Sequence, residues 1–324
     1  MTTVSVALAT YNGASHVREQ ILSVLAQTVP VFEIVLADDG STDDTVAVVR
    51  RCIAQAGPAA PTLIVLPVDG NRGVVANFER AIAACSGEFI ALCDQDDVWH
   101  PNRVAVGLAA LADRPSLLFD HGDADVVGAD GASLGTSLFD ALAVSRDDLL
   151  AISHGDAFST YIRRNLATGA TAMFRTRLVQ LAAPFPRSWV HDEWLAIIAA
   201  AFEEIAVLDA RLINYRQHGA NQIGVKKATF TYRVQRMLQP RADRYTVLAE
   251  RAAVLVERLA ALDVGDEVRR LAEAKLRFEQ VRASYPRNRL ARLPRILREW
   301  RAGSYHRLSS QRSADVLRDL LQPA

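Results

Sequence analysis

The sequence predicts an α/β protein with a mostly parallel sheet flanked by helices, followed by a helical C-terminal region. Two observations support this prediction. Over residues 4–112, short apolar segments alternate with stretches of helical periodicity, which is typical of a parallel sheet covered by helices. From Lys227 onward the pattern is helical only, with interruptions near Gly265, Pro286, Pro294 and Gly303.

The elements of the first part follow one another in a regular order. VSVALAT is the first predicted strand, and a helix is expected from about His16 to Gln27. FEIVLADDG is the second strand, and Ser41 with Asp44 three residues later has the spacing of a capping box that opens the next helix. TLIVLP, a helix from about Val74 to Cys85 and EFIALCD follow, and Pro101 suits the first turn of another helix.

Residues 113–225 have fewer regular signals. A hairpin is indicated at Gly128 to Gly131 and a loop-rich stretch near Phe158 to Ala167. The remaining predicted elements are a strand at Gly169 to Arg175, a helix at Asp192 to Phe202 and a strand at Ile205 to Tyr215.

The charge distribution changes near residue 225. Of 37 Lys+Arg and 37 Asp+Glu, residues 226–324 hold 22 and 11, which leaves 15 and 26 before them. The acidic first part argues against a nucleic-acid-binding protein. The basic tail suits an anionic membrane surface, although a solvated helical face explains it equally well.

Cysteine usage and hydropathy suggest a compartment. The three cysteines, Cys52, Cys85 and Cys93, form no CxxC pair, which fits a reducing cytosol. The chain begins with a strand pattern rather than a signal peptide, and its apolar runs are shorter than the roughly 20 residues of a membrane span. We therefore expect a cytoplasmic protein, with peripheral attachment to the inner face of the membrane as an option.

Polar residues end three of the predicted strands: Thr10-Tyr11-Asn12, Asp38-Asp39-Gly40-Ser41 and Asp94-Gln95-Asp96-Asp97. Ligands of parallel α/β sheets bind beyond the carboxyl ends of the strands. Carboxylates gathered at one edge repel one another unless a positive group joins them. The pattern therefore indicates a site for a cation or a polar ligand.

The Asp94–Asp97 segment supplies oxygen ligands for Mg²⁺ or Mn²⁺, which could in turn bind the diphosphate of a nucleotide sugar. Another interpretation is a solvated turn in which Asp97 caps the next helix. A phosphotransferase with Asp94 as nucleophile is disfavoured, because its DxD would follow the first strand of the core.

The other strand ends suggest contacts to a nucleotide. Asp39 could accept hydrogen bonds from a uracil or thymine N–H or from ribose hydroxyls, and Thr10, Tyr11 and Asn12 could frame the base. Arg72, at the start of the third helix, could meet a phosphate or the base. Each of these residues could equally serve only a turn, a cap or a solvated surface.

Together these motifs resemble the family-2 glycosyltransferases of the GT-A fold. The resemblance covers about residues 3–225 and consists of ATYNG, ADDGSTDDT, NRGVVANFERAI, GEFIALCDQDDVWHP, HDEW and YRQHG. CDQDDVWHP, HDEW and YRQHG look most like bacterial enzymes identified as rhamnosyltransferases of surface-polysaccharide assembly. The processive-synthase motif QxxRW is absent, which favours transfer of one or a few sugars.

The resemblance implies roles for individual residues. Asp39 would contact the nucleobase, Asp94 and Asp96 would reach ribose and metal, and Asp97 would be an alternative ligand. The family is inverting, so one base is needed on the acceptor hydroxyl. Asp192 is that candidate, at a helix start where relatives show Glu-Asp and this chain has His191-Asp192, followed by Glu193. A helix cap is the alternative for Asp192, and His218 is either a metal or diphosphate contact or a structural histidine.

We therefore expect a catalytic domain at residues 1–225, with a donor half at about 1–112 and an acceptor half at about 113–225, and a basic helical region at 226–324. The expected reaction moves a sugar, with rhamnose suggested, from a UDP- or dTDP-linked donor to a glycan or lipid-linked acceptor with a divalent metal. The alternative is a non-catalytic sugar-nucleotide-binding or scaffolding subunit.

The tail has a pattern of its own. Leu290, Leu293, Ile296, Leu297 and Trp300 recur at spacings of three and four between arginines at 282, 287, 289, 292, 295, 298 and 301. Such a helix could lie in the headgroup layer of an anionic membrane. It could also pack on the protein, and Pro294 argues against one continuous helix.

Overall fold

The computed structural model describes residues 2–68, 70–217 and 243–323. These residues form two compact units, the first made of 2–149, 166–199 and 204–217 and the second of 150–165, 200–203 and 243–323. His218 and the predicted boundary near residue 225 lie outside the described residues.

The first unit is built on a sheet of nine strands in the order β3-β2-β1-β4-β8-β6-β9-β5, with β7 paired to β6. The strands are β1 Val4–Thr10, β2 Glu33–Asp38, β3 Thr62–Val65, β4 Phe89–Cys93, β5 Val98–Trp99, β6 Phe119–Val127, β7 Ser133–Ser137, β8 Met173–Arg175 and β9 Ile205–Arg216.

Strands β1 to β4 are parallel to one another. All residues of β1, β2 and β4 are buried, as expected for strands covered on both faces by helices. Thr10 is the register partner of Asp38, and Leu8 that of Cys93, so the polar segments that follow these strands start at one edge of the sheet.

The rest of the sheet is mixed. Strand β8 is antiparallel to β4 and β6, β5 is antiparallel to β9, and β6 is parallel to β9. The predicted hairpin is present, because Gly128 N–H donates to the Ala132 carbonyl between antiparallel β6 and β7. The predicted strand at Gly169 to Arg175 is shorter than expected, since Gly169–Thr171 is a 3-10 turn.

The described residues between 2 and 217 contain nine helices: α1 Val17–Leu25, α2 Thr45–Ala56, α3 Val74–Ala84, α4 Arg103–Asp113, α5 Leu138–Leu142, α6 Arg146–Ser153, α7 Ala157–Arg163, α8 Arg177–Ala182 and α9 His191–Ala201. Of these, α7 and the end of α6 belong to the second unit. The predicted loop near residues 158–167 is wrong, because α7 occupies most of it.

Two predicted helix starts are also wrong. Helix α2 begins at Thr45 without a side-chain cap, and Ser41 donates instead to Asp38. Helix α4 begins at Arg103 with Asn102 before it, so Pro101 precedes the helix and Asp97 does not cap it. Ser41 is engaged by Asp38 of the same segment and Asp97 by the backbone N–H of Arg216 on β9, so neither residue caps a helix.

The second unit contains the C-terminal helices α10 Arg244–Ala260, α11 Asp266–Ala283, α12 Arg289–Arg301, α13 Ser304–Leu308 and α14 Ser313–Leu321. Pro294 lies inside α12 and does not interrupt it. Phe278, Tyr285, Ile296, Tyr305 and Leu308 form an apolar core. None of the helices in the described ranges is both long and apolar enough to cross a bilayer.

A buried ionic network also holds these helices together. Arg282 on α11 lies between Glu279 and Asp319, with its Nε 2.8 Å from the Asp319 carboxylate. Arg292 on α12 donates to backbone carbonyls, including that of Asp319 at 3.0 Å. Both arginines are buried, so they stabilise the helical unit and are not part of a solvent-facing basic stripe.

Candidate functional site

The segment after β1 is held by the segment after β2. The Thr10 hydroxyl is buried and donates to Asp38 at 2.7 Å. The Asn12 N–H donates to the Ser41 hydroxyl, and the Asn12 side-chain oxygen accepts from the Thr42 N–H, each at 2.8 Å. Asn12 has a left-handed backbone, which asparagine tolerates well. Of the three residues predicted to frame a nucleobase, Thr10 is buried and both Tyr11 and Asn12 are exposed.

Asp39 connects β2 to the loop before α3. Its two carboxylate oxygens accept the backbone N–H groups of Arg72 at 2.7 Å and of Gly73 at 2.8 Å. Gly73 has a left-handed φ of 83°, a conformation that favours glycine. Asp39 and Arg72, which are far apart in sequence, therefore lie together, and each Asp39 oxygen retains a lone pair for a ligand.

The Asp94–Asp97 loop is attached to the end of β1 through Gln95. The Gln95 amide oxygen accepts from Tyr11 N–H at 2.9 Å, and its NH₂ donates to the Tyr11 carbonyl at 3.1 Å. A Cβ on Gly13 would lie 2.2 Å from the Gln95 side chain, so only glycine allows this approach. The loops after β1 and β4 are thus one assembly.

The carboxylates of this loop lie in a strongly negative environment. Burial, followed by the negative charges of Asp96 and Asp192, raises the pKa of Asp94 to about 7. Burial and the same loop's carboxylates also raise the pKa of Asp97, and one Asp97 oxygen has no hydrogen-bond partner among the described residues. A cation arriving here would relieve this repulsion.

Asp192 lies in the first turn of α9 and is buried. Its two oxygens accept the backbone N–H groups of Gly169 at 2.8 Å and Glu193 at 2.7 Å. A negative charge is favoured at a helix N-terminus. The negative charge of Asp192 contributes to the raised pKa of Asp94, so the two carboxylates lie in one electrostatic environment.

His191, at the position where the resemblance implies glutamate, is a packing residue. Its ring stacks on Phe78 of α3 with the ring centroids 4.0 Å apart. Burial lowers the pKa of His191 to about 3, so the ring is neutral near pH 7. The substitution therefore adds no charge beside Asp192.

The donor set fits a hard divalent cation. Within residues 2–68, 70–217 and 243–323, no three His, Cys, Asp or Glu side chains are grouped to hold a metal by themselves. Mg²⁺ and Mn²⁺ in nucleotide sites are held by one or two carboxylates together with phosphate oxygens. The carboxylates of Asp94 and Asp96, in a loop that needs positive charge, match that chemistry.

Arg216 is a site residue that the sequence interpretation missed. Its backbone N–H donates to Asp97 at 3.0 Å and its Nε to the Asp96 carbonyl at 2.9 Å, while its other nitrogens bind Ala129 and Glu19. Arg216 therefore fixes the Asp94–Asp97 loop from β9. The sequence signal for Arg216 is its place in the motif YRQHG.

Comparisons with known proteins agree with this geometry. Residues 5–159 match the family model "Glycosyl transferase family 2". An uncharacterized glycosyltransferase of Nostoc sp. is 30% identical over 222 residues, covering 67% of this chain and 66% of that protein. TuaG of Bacillus subtilis, named as a glycosyltransferase of teichuronic acid biosynthesis, is 25% identical over 71% of this chain and 87% of its own length.

Two solved structures share the fold. TarS of S. aureus, in complex with UDP-GlcNAc, has a TM-score of 0.56 and 21% identity, covering 86% of this chain and 72% of that one. The mannosyltransferase PcManGT of Pyrobaculum calidifontis, in complex with GDP-Man and Mn²⁺, has a TM-score of 0.53 and 18% identity, covering 98% and 85%. With its family match, its relatives and its GT-A fold in agreement, the chain belongs to glycosyltransferase family 2 through its N-terminal domain.

Proposed function

We propose that this chain transfers a sugar, with inversion, from a nucleotide diphosphate to a hydroxyl of a glycan or lipid-linked acceptor in surface-polysaccharide assembly. The observation that carries the proposal is the assembly of Asp39, Arg72 and the Asp94–Asp97 loop beyond the carboxyl ends of β1, β2 and β4. The ligands of TarS and PcManGT support a nucleotide-sugar donor, and the name of TuaG supports a polysaccharide product.

The donor nucleotide would bind over the ends of β1 and β2. Asp39 is the proposed base contact, with Tyr11 and Asn12 beside it and the Thr10–Asp38 hydrogen bond bracing the segment. The Arg72 guanidinium would bind the nucleobase or a phosphate, because Asp39 holds the Arg72 backbone near the carboxyl end of β2. A pyrimidine, as in UDP or dTDP, is the expected base, and rhamnose is the sugar suggested by the DQDD, HDEW and YRQHG motifs.

Asp94 and Asp96, together with His218, are the proposed residues around a divalent metal, with Asp94 also near the ribose. When bound, Mg²⁺ or Mn²⁺ would supply Lewis-acid stabilisation of the departing diphosphate. Arg216 and Gln95 keep the loop in place before any ligand arrives. The Mn²⁺ in the PcManGT complex supports this use of a metal.

Asp192 would take the proton from the acceptor hydroxyl as that oxygen attacks the anomeric carbon. Its two backbone hydrogen bonds fix the carboxylate and leave lone pairs for the incoming proton. Attack on the face opposite the leaving diphosphate inverts the anomeric configuration. The proposed division of the chain is a donor half at 1–112, an acceptor half at 113–225 and a helical region after residue 225.

We further propose that the C-terminal region touches the cytoplasmic face of the membrane. On α12, Leu290 is 79% and Trp300 54% exposed, and Leu293 is also exposed, with the exposed Arg289 and Arg301 nearby on the helix. Apolar residues flanked by arginines suit the headgroup layer of an anionic bilayer. Arg282, Arg292 and Ile296 are buried and do not contribute to that face.

The transfer proposal is tested with the full chain and a panel of UDP-, dTDP- and GDP-linked sugars, with Mn²⁺, Mg²⁺ or EDTA. Ligand at a hundredfold excess over its Kd should stabilise the protein by about 2.7 kcal/mol. The preferred donor should then give a product of opposite anomeric configuration by NMR. Donor binding without transfer or hydrolysis, across a range of acceptors, would identify a binding subunit instead.

Membrane contact is tested by co-sedimentation with anionic and neutral vesicles at low and high salt. Truncation after Ser284 is unsuitable, because it removes Asp319 and leaves buried Arg282 without that partner. Leu293→Ser with Trp300→Ser should abolish binding to anionic vesicles, while the exposed Val247→Ser on α10 should not. Unchanged sedimentation of the double variant would refute the assignment of this face.

A further inference from the structure

A groove in the C-terminal unit is lined by none of the residues proposed above to bind the donor or the metal, to act as the catalytic base or to form the membrane-facing side of α12. It has a cavity volume of about 310 Å³ and is lined by residues of α11, α12 and α13. Arg277, Arg298 and Arg307 come one from each of these three helices. Phe278, Val281 and Leu308 supply apolar lining.

Helical spacing explains why these side chains share one groove. Arg277 and Val281 are four residues apart on α11, and Arg298 is four residues before Ala302, the residue that follows α12; residues at that spacing lie on the same helix face. Phe278 and Leu308 belong to the apolar core of the unit. The groove therefore has an apolar inner side that continues the core and three guanidinium groups.

The charges of the groove are not balanced internally. Glu299 is its one carboxylate among the described lining residues, and it accepts from the Ser304 hydroxyl at 2.8 Å and lies 3.4 Å from Arg298. Arg277 pairs with Glu273 at 3.5 Å, but both side chains are more than half exposed, so this pair is weak. No side-chain partner of Arg307 is found in the described part of the chain. The groove thus carries net positive charge.

We propose that this groove binds a phosphate ester that carries an apolar chain. Guanidinium groups bind phosphate oxygens in a bidentate manner, and three of them around one cavity suit an anion with several oxygens. The apolar lining would contact the first carbons of the chain. A membrane phospholipid and a soluble alkyl phosphate share this chemistry, and both would present the phosphate to the arginines.

The test measures binding to the full chain by calorimetry, with dodecyl phosphate below its micellar concentration, inorganic phosphate and a neutral dodecyl glycoside as probes. Dodecyl phosphate should bind at least about tenfold more tightly than either other probe. The double variant Arg277→Gln, Arg307→Gln should weaken the binding of dodecyl phosphate about tenfold or more, because two of the three guanidinium groups are removed. A tenfold loss corresponds to 1.4 kcal/mol. Arg270→Gln, an exposed arginine of α11 outside the groove lining, is the matched control and should change it less than twofold.

Both substituted arginines are exposed, so the variants should fold, and an unchanged melting temperature checks this. A second series uses vesicles containing phosphatidic acid. A parallel loss of vesicle binding in the double variant identifies a membrane lipid as the source, and a loss confined to the monomeric probe identifies a soluble phosphate ester. The proposal is overturned if the wild-type protein and the double variant bind dodecyl phosphate with equal affinity. It is also overturned if the wild-type protein binds the neutral glycoside as tightly as dodecyl phosphate.

Discussion

The Asp192 carboxylate accepts a 2.8 Å hydrogen bond from the backbone N–H of Gly169. Gly169 begins the 3-10 turn before β8, and Asp192 lies in the first turn of α9. A Cβ on residue 169 would lie 3.3 Å from both Asp192 and His191. The proposed catalytic base is therefore positioned by a residue beside which a side chain has little room.

Asp192→Asn should lower kcat by about 10² to 10⁴, the usual contribution of a general base, with donor affinity nearly unchanged. Asn also leaves one of the two backbone N–H groups without its carboxylate acceptor, so the melting temperature should be measured alongside turnover. Near-normal kcat would remove Asp192 from the mechanism and direct attention to Glu193.

Gly169→Ala should lower kcat about tenfold while leaving donor affinity within twofold, because a displaced catalytic group loses rate through geometry. The new methyl group presses on Asp192 and on His191, which is held by its stacking on Phe78. Gly265→Ala is the control, since a Cβ there meets no atom within 4 Å. If Gly169→Ala keeps the wild-type kcat, the position of the Asp192 carboxylate relative to Gly169 does not limit turnover.

Asp96→Ala should abolish the enhancement of UDP or dTDP binding by Mn²⁺, because it removes a carboxylate from the proposed cation site. Thermal shift with and without Mn²⁺ measures this enhancement directly. Asp209→Ala, an exposed carboxylate on β9, should retain it. An Asp96→Ala protein with the full Mn²⁺ effect would contradict the assignment of the Asp94–Asp97 loop to the metal.

Arg216→Lys should weaken metal-dependent donor binding by about tenfold and lower the melting temperature, because an ammonium group cannot reproduce the fork of guanidinium hydrogen bonds. Arg216 holds the Asp96 carbonyl and also binds Ala129 and Glu19. Arg211→Lys is the matched control on the same strand, where an exposed arginine pairs with Asp125. If both variants behave alike, the loop does not depend on Arg216.

Asp120 predicts a pH dependence of stability. Burial raises its pKa to about 8, although Arg103 partly opposes this, and neither carboxylate oxygen has a hydrogen-bond partner among the described residues. Between about pH 4 and pH 8 the folded state holds a proton that the unfolded chain has lost. The free energy of unfolding therefore falls as pH rises through this range.

Asp120→Asn removes that ionisation, so its melting temperature relative to the wild type should rise by several degrees from about pH 5 to about pH 9. The control is Asp113→Asn, at an exposed position on α4, whose melting temperature should differ from that of the wild type by the same amount at every pH. A constant difference for Asp120→Asn as well would mean that Asp120 is ionised in the folded protein throughout.

Sequence patterns predict secondary structure best where the signal for each element lies in its own residues. The alternation of apolar strands and amphipathic helices predicted β1 to β4 and α1 to α4, with errors confined to helix starts. Beyond residue 113 the strands no longer alternate with helices, so their directions were not readable. The mixed pairing of β8, β6 and β9 therefore required the structure.

Strand periodicity and the rule for ligand sites in parallel sheets need only local information, so they are sufficient to predict that acidic and polar residues end β1, β2 and β4. The tertiary structure sets the hydrogen-bond partners: Gly169 for Asp192 on α9, and, at the strand ends, Arg72 and Gly73 for Asp39 and Arg216 for Asp97. These partners are 23, 33, 34 and 119 residues apart along the chain. Hydrogen bonds over such separations depend on strand order and loop packing, and no periodicity in the sequence encodes them.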